Sequence, residues 1–152
     1  MKTTMKGACA LCIAVLLCAC STMSRISSPK PGTQLHLKDR VVELPADVKL
    51  KGTSFGNYEF KAVEAGHEPF YGILPLAFKG GHLAVDIIFF APATLFNLRG
   101  AFPFYDIDVE NGLIRYKESR DESWREYRPK TVEQDRARDY FERGVENGGA
   151  GG

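Results

Sequence analysis

Beyond residue 20 this 152-residue chain has no cysteine: Cys9, Cys12, Cys18 and Cys20 are all four of them. No disulfide can therefore staple the rest, and its core must be stable through burial alone. Cys9-x-x-Cys12 has the spacing of a metal or redox pair, but here the cysteines read as small apolar residues in an apolar run. A basic excess is also missing, with 20 Lys+Arg against 19 Asp+Glu. That excludes a general nucleic-acid binder, which needs cations to neutralise phosphates. The chain has no Gly-x-Ser-x-Gly, P-loop, dinucleotide fingerprint or H-E-x-x-H. Histidine is scarce, with three in all.

What is present begins at the amino end. Met1 to Lys6 carries two lysines, and Gly7 to Ala19 is thirteen residues without a charge. That length suits a secretory hydrophobic region and falls short of the roughly 20 residues a spanning helix needs. The run closes on Leu17-Cys18-Ala19-Cys20. This tetrapeptide resembles the lipobox of bacterial lipoproteins, in which Leu, a small residue and Ala or Gly precede the modified cysteine. Cys18 stands where Ala or Ser is usual. The resemblance implies a cut before Cys20, a diacylglyceryl thioether on Cys20 and an acyl chain on its new amino group. Two or more chains anchor stably where one anchors marginally. Ser21, in place of Asp, implies sorting to the outer membrane. Loss of Lys2 and Lys6 with residues 1–19 would turn the net charge from +1 to −1.

Residues 20–32, rich in Ser and Pro, are expected to tether lipid to domain. A β-rich domain is expected over 33–130. Leu35 and Leu37 alternate with polar residues, Lys38-Asp39-Arg40 reads as a turn, and Val41 to Leu44 answers as a strand until Pro45 breaks it. Val48 and Leu50 mark a third strand. Tyr58, Phe60 and Ala62 line one face of a fourth, with Glu59 and Lys61 opposite. Ser28-Pro29-Lys30-Pro31-Gly32-Thr33, Leu44-Pro45 and Gly56-Asn57-Tyr58 with Gly66-His67 together resemble a PEGA domain. That small β module of bacterial surface proteins implies a binding or structural role and transfers no functional residue.

Leu83 to Leu98 is the most apolar part, sixteen residues with Asp86 as its one charge. Pro92 interrupts it. It is expected to form a buried, kinked helical segment, the alternative being a segment resting in a membrane interface. Asp86 has Arg99 as a candidate partner. Asn111-Gly112 predicts a two-residue hairpin loop, facing Val109 with Ile114, Ile107 with Tyr116, Asp108 with Arg115 and Asp106 with Lys117. Thr131 to Gln134 reads as a capping box with Thr131 as the N-cap. Its helix places Ala137, Tyr140 and Phe141 on one face and reaches Arg143, with Gly144 able to end it and all helix closed by residue 147. Residues 148–152 form a flexible tail.

Asp106 and Asp108 share a strand face, as an acid–base pair or cation site would require, but the hairpin gives each a cationic partner. His82 and Asp86, four apart, would share a helix face and could hold a metal with His67, Glu68 or His36. No ligand spacing supports this, so no metal, cofactor or catalytic residue is assigned. The sequence thus predicts a mainly β (α+β) fold: a small PEGA-like antiparallel sheet or sandwich with an apolar helical segment and a C-terminal helix. It predicts a lipoprotein anchored through Cys20 in the outer membrane, on a face left open. Its expected role is non-catalytic: envelope structure, or binding of an envelope protein or glycan. The alternatives are a membrane-acting accessory or assembly subunit using 83–98, and an envelope hydrolase.

Overall fold

The strand that joins the two halves of the main sheet comes from the stretch whose composition argues most against one. The computed structural model describes residues 21–53, 56–78 and 99–148, the residues 144–148 by backbone alone. Its first element, β1 (Ser21–Ser27), pairs antiparallel with β4 (Ala46–Lys51) and parallel with β9 (Phe104–Asp108). With β10 (Leu113–Lys117) and β11 (Arg125–Tyr127) they form a five-stranded sheet of order β11-β10-β9-β1-β4. The tether expected over 20–32 is thus corrected. Residues 21–27 belong to the folded domain, which therefore does not start at Thr33. The reason lies in which side chains turn inward. Thr22, Ser24 and Ile26 alternate with exposed Ser21, Met23 and Arg25. Two of the three inward residues are polar, so no apolar alternation betrays the strand. Buried Ser24 is satisfied by donating to the Phe102 carbonyl at 2.7 Å, as a buried hydroxyl must be.

A second sheet contains β2 (Gln34–Leu37), β3 (Arg40–Glu43), β5 (Glu59–Val63) and β6 (Phe70–Ile73) in the order β3-β2-β5-β6, antiparallel throughout. Here the apolar alternation marks β2 and β5 correctly, while β6 carried no strand expectation. The β2–β3 turn is the two residues Lys38-Asp39, with Lys38 at φ 52°. The Leu44–Pro45 peptide is cis. A third, two-stranded sheet pairs β7 (Leu76–Phe78) with β8 (Arg99–Ala101). Cys20, the Leu83–Leu98 segment with His82 and Asp86 beside and within it, and the 149–152 tail lie outside the described residues.

The inner faces of the two larger sheets share one core. Ile26, Val48, Leu50, Tyr105, Ile107 and Ile114 meet Leu35, Leu37, Phe60, Ala62 and Phe70, all buried. Each large side chain so buried contributes about 1.5–3 kcal/mol. The helix α1 (Thr131–Gly148) covers the outer face of the second sheet. Ala137 is fully buried there, Arg138 stacks over Tyr71, and Phe141 meets His36 edge-on. This third layer explains why Glu59, which the alternation sends outward, is buried: it pairs with Arg136 at 3.2 Å. Among the described residues the fold is mainly β, with three sheets and one C-terminal helix, an α+β arrangement.

Two local expectations shift. The hairpin pairs Asp108 with Leu113, Ile107 with Ile114 and Asp106 with Arg115, so its loop is the four residues Val109 to Gly112. Asp108 makes the longer loop favourable: its carboxylate accepts from the Asn111 backbone N–H at 3.0 Å and from the Asn111 side chain. Gly112 takes φ 61°, a conformation that favours glycine. The slip is by an even number of positions, so the apolar and charged faces stay as expected. In α1 the N-cap is Lys130, not Thr131. Glu133 reaches back to the Lys130 N–H at 2.8 Å, while the Gln134 side chain donates to the Pro129 carbonyl. Gly144 does not end the helix, whose backbone runs on to Gly148.

Candidate functional site

The strand β1 gives the molecule two ends, about 20 Å apart at a strand's rise per residue. Its start, Ser21, pairs with Lys51. Two residues beyond Lys51, Thr53 exchanges both backbone hydrogen bonds with Arg99 at 2.8 and 3.0 Å. Arg99 in turn pairs with Phe78. The residue that follows Cys20 and the two points bounding residues 79–98 are therefore neighbours at this end. Tyr105 braces it from the core. Its hydroxyl donates to Pro75 O at 2.6 Å and accepts from Phe102 N at 2.9 Å, and burial raises its pKa strongly.

At the same end a groove of about 470 Å³ opens between β4 and the β2–β3 turn, floored by Leu37, Val48 and Leu50. Lys38, Arg40, Lys49 and Lys51 rim it against one acid, Asp39. All four cations are exposed, and none has an ion-pair partner among the described residues. Lys38 lies 4.9 Å from the Tyr58 ring centroid, and Tyr58 donates to the Lys51 carbonyl. A second cleft, about 360 Å³, lies between the Leu74-Pro75-Leu76 turn and α1. Arg99 lines it and donates to the Gly56 carbonyl at 3.0 Å.

The other end carries two charged networks. Arg115 sits between three carboxylates, 3.1 Å from Asp106, 3.2 Å from Asp108 and 3.2 Å from Glu126. Lys117, the expected partner of Asp106, instead donates to the Arg120 carbonyl. Asp106 also accepts from the Ser27 hydroxyl at 2.8 Å. Burial acts to raise the Asp108 pKa, but the hydrogen bonds from Asn111 and the Arg115 charge together outweigh it, leaving the carboxyl below its usual range. Both aspartates are thus drawn into ion pairs with Arg115, an arrangement that suits structure better than proton transfer. Beside them, buried Glu64 lies 2.9 Å from Lys30 and 3.1 Å from His67, and Lys30 reaches on to Glu110 at 3.6 Å.

Of the histidine and acid set considered for a metal, His82 and Asp86 lie outside the described residues, and His36, His67 and Glu68 are not brought together. His36 lies under α1, its pKa lowered by burial and then by Lys61, while His67 pairs with Glu64 and Glu68 is exposed. Among the described residues no group of three or more His, Cys, Asp or Glu side chains is placed to hold a metal. No helix among them is long and apolar enough to cross a membrane. The cationic groove escaped the sequence reading, because its four cations come from two separate strands and a turn. No protein-family model matches the chain, and no curated protein or solved structure matches it either.

Proposed function

We propose that this chain is a bacterial lipoprotein held in the outer membrane through Cys20, with a structural or partner-binding role in the envelope. The observation that carries this is Leu17-Cys18-Ala19-Cys20 closing an apolar run after two lysines. β1 begins at the next residue, so the anchor would join the domain with no spacer. The end of β1 at Ser27 would then point away from the lipid. Its ion-paired Lys30, Glu64, Glu110 and Arg115 make it the surface offered to an envelope protein or glycan, in keeping with the PEGA-like stretch. The ion-paired state of Asp106 and Asp108 favours this reading over a hydrolase.

A second reading, a membrane-acting accessory subunit, is favoured by one observation: Phe78 and Arg99, which bound residues 79–98, lie beside the start of β1. Labelling with radioactive palmitate tests the anchor. Wild type should take up label and Cys20→Ala should not; an unlabelled wild type, or a labelled Cys20→Ala, overturns the proposal.

A further inference from the structure

We infer that the groove rimmed by Lys38, Arg40, Lys49 and Lys51 binds the phosphates of anionic lipid headgroups, docking the domain end-on against the membrane. This rests on the lipoprotein reading for the anchor and goes beyond it in naming a second, electrostatic contact. Three features point to it. First, the strand register places the groove at the point of attachment. Ser21 pairs with Lys51 and Met23 with Lys49, so an acyl group on Cys20 would enter the bilayer one residue from this rim. Second, the rim carries four cations against Asp39 alone, on a chain that is close to neutral overall. The cations at the opposite end, Lys30 and Arg115, are by contrast neutralised by carboxylates. Third, exposed Met23, beside Lys49 on the same strand face, offers an apolar contact at headgroup depth.

One lipid anchor and one cationic patch reinforce each other. The anchor makes the headgroup contact intramolecular, so modest affinity suffices, and each surface cation adds about five-fold to partitioning onto an anionic membrane.

The test adds the processed full-length protein to preformed vesicles of phosphatidylcholine, with and without phosphatidylglycerol. A brief acetylation pulse follows, and the modification of each lysine is read by mass spectrometry. Lys38, Lys49 and Lys51 should react several-fold more slowly on the phosphatidylglycerol vesicles, and salt should restore their rates. Lys30, at the far end, should not change. K49Q/K51Q, which alters only exposed side chains, should reduce the protection of Lys38. Equal rates for the three lysines on both vesicle types overturn the inference, as does protection that K49Q/K51Q leaves intact. Palmitate labelling of the same samples separates the two claims. Label without headgroup-dependent protection sinks the groove alone, protection without label sinks the anchor alone, and the absence of both sinks both.

Discussion

Ile26 separates a tether from a strand more sharply than any other side chain. It is fully buried in the shared core, so Ile26→Ala should destabilise by about 2–5 kcal/mol in urea denaturation. In a solvated tether the same change would stay within about 0.5 kcal/mol. Asp108 adds a pH signature. Its pKa in the folded state lies below the 3.8 of an unperturbed aspartate. Its stabilisation is therefore complete above about pH 4, and is lost as pH falls through the lowered folded value. Asp108→Asn should lower stability at pH 7 by about 1–3 kcal/mol and flatten the acid limb of the stability profile. An unchanged acid limb would count against the network with Arg115 and Asn111. That Asp106 and Asp108 share a face with Arg115 was legible in the residue alternation. The gathering of three carboxylates on Arg115 was not, since Glu126 arrives from β11 in the charge-dense stretch 118–130, which reads equally as a final strand or a surface loop.

At the scale of elements, apolar alternation was sufficient where both faces of a strand obey it. β2, β4 and β5 appear where Leu35 and Leu37, Val48 and Leu50, and Phe60 and Ala62 place them. It failed for β1, whose inward Thr22 and Ser24 are polar and whose partners lie 20 to 80 residues away. The hairpin slipped because Asn111-Gly112 signals a tight turn, while Asp108 two residues before Glu110 holds a wider one. The helix start moved by one residue because Glu133, not Gln134, closes the cap. Tyr127 bonds the same carboxylate, and its pKa is raised to about 12 by burial and then by Glu133. Glu133→Ala should thus lower the Tyr127 pKa in an ultraviolet titration and cost about 1 kcal/mol of stability. A Tyr127 titration that does not move would contradict the shared bond. Gly72 faces Phe60 across the sheet, and an added Cβ would sit 2.8 Å from both the Phe60 ring and Pro129. Gly72→Ala should destabilise by about 1–3 kcal/mol through overpacking, measurable as a lower urea midpoint.

For the whole molecule, the class of fold was legible and the arrangement of its ends was not. Counting strand signals leads to a mainly β domain. Only the register of β1 with β4, and the bridge from Thr53 to Arg99, bring Ser21, the cationic rim and the bounds of residues 79–98 to one end. If Cys20 carries lipid as proposed, that convergence adds orientation to location: the Ser21 end of the sandwich would face lipid and the Ser27 end the envelope. The claim on which this depends is the modification of Cys20. Mass spectrometry of the amino-terminal tryptic peptide from the membrane-extracted protein tests it most directly. The expected peptide runs from Cys20 to Arg25 and carries a diacylglyceryl thioether and an amide-linked acyl chain. A chain whose first residue is not Cys20, or whose Cys20 is an unmodified thiol, would contradict it.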